Sequence, residues 1–196
     1  MKQLGFYIDA AKCTGCKTCV VACKDAHDLP VGMNLRKVIE YAGGDWRQDR
    51  MTGAWHQDVF AYYLSIACNH CEDPACVKVC PTKAHAKHPE LGGLVLIDPK
   101  KCIGCGMCMA ACPYHAPVLD KKAGKMTKCD ACVDRISKGG LPVCVEACTQ
   151  RALDFGYVDE LRKKYGEGAH IVPLPSPSKT KPNLVIHPAA KAQIVE

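Results

Sequence analysis

Cys102-Ile-Gly-Cys105-Gly-Met-Cys108-Met-Ala-Ala-Cys112-Pro113 spaces three cysteines by two residues each, adds a fourth after three more, and stops on proline. Three thiolates spaced in this way wrap the chain around one iron–sulfur cubane, with backbone N–H groups turned toward the sulfurs. The fourth cysteine lies on a helix leading away, so it faces a different cluster, and the proline turns the chain out of that helix. The same arithmetic recurs along the chain. Cys13, Cys16, Cys19 and Cys23 repeat the spacing, and Cys68, Cys71, Cys76 and Cys80, followed by Pro81, vary it. Cys129, Cys132, Cys144 and Cys148 stretch it with an eleven-residue interval. All sixteen cysteines of the 196-residue chain fall into these four groups.

Other uses of so many cysteines fit less well. A disulfide framework needs an oxidising compartment and, ordinarily, a secretory signal. The opening MKQLGFYIDAAKC has no apolar core segment, no small-residue cleavage site and no twin arginine, so export by a signal of its own is not expected. Zinc prefers paired C-x2-C knuckles, often with histidine; a triple C-x2-C-x2-C, used twice, suits it poorly. A zinc-binding interaction module remains the alternative from another class. The formal charge of +6 is offset by about −2 for each thiolate-bound cluster, leaving the loaded protein near roughly −2. The Lys/Arg excess thus reads as compensation for cluster charge. No long basic run points to nucleic acid, and no apolar stretch is long enough to span a membrane.

The groups are of two kinds. Groups one and three share I-D-x-x-K-C-x-G-C (Ile8, Asp9, Lys12, Cys13, Gly15, Cys16; Ile97, Asp98, Lys101, Cys102, Gly104, Cys105). Groups two and four place Pro74 and Pro142 two residues before the third cysteine and continue to Ala84 and Ala152. A two-cluster ferredoxin joins one group of each kind through a short β connection. Groups two and three fit this directly, because LGGLVLID in the 21 residues between Cys80 and Cys102 reads as a strand. Groups four and one then pair across the length of the chain.

The expected fold class is α+β: two bacterial-type two-[4Fe–4S] ferredoxin modules, one nested within the other. The outer module takes residues 1–28 plus 124–170, the inner 67–123, with an inserted strand region at 29–66 and an extended C-terminal arm at 171–196. The expected ligand sets are crossed. Cluster 1 takes Cys13, Cys16, Cys19 and Cys148; cluster 2 takes Cys129, Cys132, Cys144 and Cys23. Cluster 3 takes Cys68, Cys71, Cys76 and Cys112; cluster 4 takes Cys102, Cys105, Cys108 and Cys80. Sequential pairing, one with two and three with four, is the alternative.

Elsewhere, VFAYYLSIAC at 59–68 reads as a buried strand and Asp159–Lys164 as a helix. The proline-rich tail keeps an apolar cluster at Leu184, Val185 and Ile186, expected to lie along a partner. Trp46 and Trp55 are expected in a core or an interface, and His70 as a packing residue. Lys12, Lys101 and Lys128 each precede the first cysteine of a group; positive charge there raises a cluster's reduction potential, the alternative being solvated lysines. No nucleotide loop, nucleophile–base pair or paired acid–base carboxylates emerges, so no catalytic residue is expected.

The stretches GFYIDAAKCTGCKTCVVACKD, YAGGDW, WHQDVFAYYLSIACNHCEDPAC with KVCP, KCIGCGMCMAACPY, MTKCDACVDR, RALDFG and DELRKK resemble the iron–sulfur electron-transfer subunits of bacterial dimethyl sulfoxide reductases. The resemblance covers nearly the whole chain. It is closer than that to the wider four-cluster class serving polysulfide, thiosulfate, tetrathionate and nitrate reductases and formate dehydrogenases. It implies four [4Fe–4S] clusters, agrees with the crossed ligand sets, and implies two partners: a molybdopterin catalytic subunit and an integral membrane anchor that oxidises quinol. It further implies attachment to the inner membrane, on the periplasmic face by co-export with the catalytic subunit; a cytoplasmic face is compatible with the bare sequence. Thr149 departs from the proline that many members carry there, and the tail lacks the membrane helix of formate-dehydrogenase relatives.

Overall fold

Strand β1 (Leu4–Asp9) carries almost no polar alternation, and all but its first residue are buried. That pattern belongs to a strand covered on both faces. In the computed structural model, which describes residues 2–195, β1 is the centre of a three-stranded sheet. Met1 and Glu196, the outermost residues of the expected outer module and arm, lie outside the described residues.

From β1 the chain enters the first cysteine group and helix α1 (Thr18–Ala26). Strands β2 (Lys37–Gly43) and β5 (Phe60–Ile66) pair antiparallel along their whole length, from Lys37 opposite Ile66 to Gly43 opposite Phe60. Between them, β3 (Trp46–Gln48) and β4 (Trp55–Gln57) form a small exposed hairpin. The expected strand at 59–68 is thus β5, and its buried Tyr62, Leu64 and Ile66 lead straight into Cys68. Trp46 and Trp55 are 62% and 61% exposed on the hairpin, so they are not core residues.

Helix α2 (Ala75–Lys78) lies within the second group; β6 (His85–His88) and β7 (Leu94–Ile97) then pair antiparallel. The linker read as a strand is β7, with Leu94 and Val95 fully buried. Helix α3 (Met107–Ala111) carries the end of the third group and packs on α2. After the β8 (Val118–Asp120) and β9 (Lys125–Thr127) hairpin come the short helices α4 (Val133–Ile136) and α5 (Val143–Glu146). Helix α5 packs against α1, bringing the fourth group to the first.

The chain then returns to its start. Strand β10 (Leu153–Tyr157) pairs antiparallel with β1, setting Phe155 opposite Phe6 with ring centroids 4.9 Å apart. Helix α6 (Val158–Tyr165) has acids in its first turn and bases in its last, matching the helix dipole. It buries Val158 and Leu161 and stacks Tyr165 on Tyr7 at 3.7 Å. Strand β11 (Leu184–His187) pairs parallel with the other edge of β1. Leu184, Val185 and Ile186 are therefore buried inside this protein and are not offered to a partner. The tail's apolar cluster was readable from sequence; its destination was not, because β1 and β11 lie at opposite ends of the chain.

Candidate metal centre

Each group builds its loop from local backbone rules. In the first, Gly15 and Lys17 take positive φ (70° and 63°), and Lys17 caps the start of α1. In the third, Gly104 and Gly106 do the same (72° and 77°) ahead of α3. The third cysteine therefore sits at the start of a helix, and Cys19 and Cys23 fall on one face of α1, four residues apart. In groups two and four, Pro74 and Pro142 cap α2 and α5, placing Cys76 and Cys144 in the first turn. His70, Ala131 and Cys132 also hold positive φ, a conformation that costs a non-glycine residue about 1 kcal/mol and persists only where its surroundings impose it.

Gly104 shows what the loop demands: a Cβ there would stand 2.3 Å from the Gly124 carbonyl oxygen. Gly104→Ala is expected to cost about 1–2 kcal/mol from backbone handedness alone and to displace the loop. Iron analysis of the purified variant should then fall by one cluster's share, while wild-type iron content would refute the steric reading.

None of the sixteen cysteines forms a disulfide. Cys13, Cys16, Cys19 and Cys148 line one small cavity, together with Ser65. Cys68, Cys71, Cys76 and Cys112 line a second, with Lys128, Tyr114 and Thr180. The charge of Cys144 and Cys132 acts on the Cys23 thiol, and that of Cys68 and Cys144 on Cys129. That of Cys102 and Cys105 acts on Cys108, and Cys80 packs against the buried cluster containing Cys102 and Cys108. Every thiol is thus gathered with others. Cys16 and Cys105 are the two exposed members.

The donor chemistry suits a metal cluster. Burial pushes the Cys23 thiol up to about 12, with Cys144 adding to it, and Cys71 up to about 11. Packed sulfurs of this kind resist ionisation until a cationic centre draws off their protons. Backbone N–H groups already point at sulfur: Met126 donates to Cys102 Sγ at 3.3 Å, Ala152 to Cys148 Sγ at 3.3 Å and Ala131 to Cys129 Sγ at 3.4 Å.

Two models described as a 4Fe-4S dicluster domain match the chain, over residues 59–158 and 12–86. The B-chain of the anaerobic dimethyl sulfoxide reductase of Escherichia coli (strain K12) is 56% identical over 191 residues, 97% of this protein and 91% of that one. The corresponding Haemophilus influenzae subunit is 54% identical over 194 residues, covering 99% and 93%. This polypeptide belongs to the iron–sulfur B-subunit family of anaerobic dimethyl sulfoxide reductases. More distant is the thiosulfate reductase electron transfer subunit PhsB of Salmonella typhi, 37% identical over 153 residues, 78% of this protein and 74% of that one.

As a member of the B-subunit family, the protein carries four [4Fe–4S] clusters in two dicluster ferredoxin-type domains. It is an electron-transfer subunit of a reductase complex and not itself catalytic. No helix among the described residues is long and apolar enough to cross a membrane.

The three lysines that precede cysteine groups separate in this B-subunit structure. The side chains of Lys12 and Lys101 are 63% and 64% exposed, each beside an aspartate three residues earlier. Lys128 is 5% exposed and donates to the carbonyls of Val95 and Cys129. His70 is fully buried, with Nδ1 accepting from the Val95 N–H at 3.1 Å; burial, aided by Lys128, keeps it neutral.

Two residues beside the cysteines escaped sequence reading. Arg36, 2% exposed, lies just before β2 and donates through Nη1 to the Ser65 carbonyl at 2.8 Å and to Ser65 Oγ at 3.0 Å. Ser65 Oγ in turn lies 3.1 Å from Cys19 Sγ. Neither residue belongs to a cysteine motif; the one available signal was a polar residue, Ser65, breaking the apolar run of β5.

Proposed function

We propose that this protein relays electrons from an integral membrane anchor, which oxidises quinol, to a molybdopterin catalytic subunit that reduces dimethyl sulfoxide or related S- and N-oxides. When bound, the four clusters supply the redox chemistry, each accepting and releasing one electron. The polypeptide's own residues hold the clusters in order, shield them from water and present the two ends. The ligand sets are the crossed ones: Cys13, Cys16, Cys19 with Cys148; Cys129, Cys132, Cys144 with Cys23; Cys68, Cys71, Cys76 with Cys112; Cys102, Cys105, Cys108 with Cys80.

The observation that carries this reading is the pair of cavities whose walls each combine three thiols of one group with one thiol of another. Sequential pairing of the groups has no counterpart in either. The neighbours Cys19–Cys144 and Cys129–Cys68 favour the order 1–2–3–4, with exposed Cys16 and Cys105 toward the two ends. The direction comes from the family resemblance, which puts the Cys102 set on the quinol side and the Cys13 set nearest the catalytic subunit.

The nested arrangement follows in the same proposal: residues 1–28 plus 124–170 outside, 67–123 inside, 29–66 inserted and 171–196 as an arm. Supporting it, β1 pairs with β10 and α1 packs on α5 across the length of the chain, while β6 and β7 close the linker between groups two and three. The complex would sit on the inner membrane, facing the periplasm through co-export with its catalytic partner.

Cys102→Ser tests whether the Cys102 set lies on the relay. Quinol-driven turnover of the complex should stop while an artificial dye still reduces the catalytic subunit directly. Unchanged quinol activity would take the Cys102 set off the path and overturn the four-cluster relay.

A further inference from the structure

Arg36 and Lys128 are cations buried in the interior, 2% and 5% exposed. Neither meets a carboxylate: every ion pair among the described residues uses other groups. The acceptors of Arg36 are the carbonyl and hydroxyl of Ser65, its guanidinium lies 4.7 Å over the ring of Phe6, and its Nη2 is buried without a protein partner. The oxygen acceptors of Lys128 are two backbone carbonyls. A buried charge left uncompensated costs several kcal/mol, so the compensating negative charge has to come from elsewhere.

The groups around the two cations that can carry negative charge are thiols; His70 and His85, which also face Lys128, are held neutral by burial and by that lysine. Around Arg36 they are Cys144, Cys129, Cys19 and Cys23; around Lys128 they are Cys68, Cys129 and Cys76. Three of the four at Arg36 belong to the set Cys129, Cys132, Cys144 and Cys23, and the fourth, Cys19, is also reached through Ser65 at 3.1 Å. Lys128 joins the same set, through Cys129, to Cys68 and Cys76. Lys12 and Lys101, by contrast, are solvated beside Asp9 and Asp98, where water screens their charge.

We propose that Arg36 and Lys128 are positioning charges at the first and second junctions of the relay, and that together they raise the reduction potential of the cluster held by Cys129, Cys132, Cys144 and Cys23. This rests on the ligand partition proposed above. One-electron reduction takes a thiolate-bound cluster from about −2 to about −3 with no bond formed or broken. Burial penalises the more charged reduced form; a fixed cation beside the sulfurs favours it. The cluster most enclosed by protein is thereby kept reducible by its neighbours.

The test is an EPR-monitored redox titration of the assembled complex carrying Arg36→Met, Arg36→Lys, Lys128→Met or Lys12→Met, with Cys144→Ser marking which signal belongs to this cluster. Arg36→Met should lower that midpoint by at least 59 mV, a tenfold loss in the reduction equilibrium constant. Arg36→Lys should recover more than half of the shift. Lys128→Met should lower the same cluster and the one beside Cys68, and Lys12→Met should move none. Unshifted potentials in Arg36→Met with iron intact would overturn the inference, as would an Arg36→Lys variant shifted as far as the methionine. Should Arg36→Met lose iron, Lys128→Met is read by the same criterion, and unshifted potentials there overturn it. An Arg36→Met shift that spares the cluster altered by Cys144→Ser and appears only in another would break the ligand partition instead.

Discussion

Cys112→Ser is expected to damage the cluster of Cys68, Cys71 and Cys76, not that of its own neighbours Cys102, Cys105 and Cys108. Cys112 closes α3 and lines the cavity shared with Cys68, Cys71 and Cys76. Burial and the Cys68 sulfur raise its thiol, with N–H groups of Ala116 and Tyr114 opposing. Serine offers a harder oxygen where iron–sulfur chemistry favours thiolate. The complex should drop from about sixteen irons in this subunit to about twelve, and quinol-driven turnover should fall to background. EPR comparison decides the partition: the signal altered in Cys112→Ser should be the one altered in Cys71→Ser and should differ from that in Cys105→Ser. A match with Cys105→Ser would sink the crossed ligand sets.

The second large effect lies beyond the last cysteine in the sequence. Ending the chain after Asn183 removes Leu184, Val185 and Ile186, which are 7%, 1% and 1% exposed against β1. Burying each such side chain is worth about 1.5–3 kcal/mol, so the loss is on the order of 6 kcal/mol. That rivals the whole net stability of a typical domain, about 5–15 kcal/mol. It also strips β1 of its parallel neighbour and leaves an open sheet edge. The truncated protein should fail to accumulate with iron, and limited proteolysis should show it cut throughout. A truncated protein with full iron and wild-type protease resistance would mean that β11 is a passenger. Ile186→Asp, which keeps the length but buries a carboxylate, should produce the same failure.

Much of this was legible because cysteine chemistry is local. Spacing told where each loop bends, and Gly15, Gly104, Pro74 and Pro142 took the turn and capping positions that their residue types suit. The strands around Cys68 and Leu94 were readable for the same reason: a short apolar run ahead of a turn admits few conformations. What stayed hidden was long-range. Nothing near Leu184 states that it meets Phe6. Nothing near Arg36 states that a serine at position 65, on the strand paired with β2, will accept its hydrogen bond and stand between it and Cys19. Of the three lysines before cysteines, Lys12 and Lys101 have an aspartate three residues earlier and Lys128 does not; that Lys128 is buried beneath the Val95 carbonyl shows only in the fold.

The position of β1 between β10 and β11 carries a consequence for biogenesis. Both of its neighbours follow all four cysteine groups along the chain, so β1 has no sheet partner until long after its own synthesis. Its cysteines wait beside it, open to any oxidant or stray metal that the nascent polypeptide meets. Residues 68–112, by contrast, emerge as one contiguous block. Maturation factors would therefore find the middle of this polypeptide ready well before its beginning.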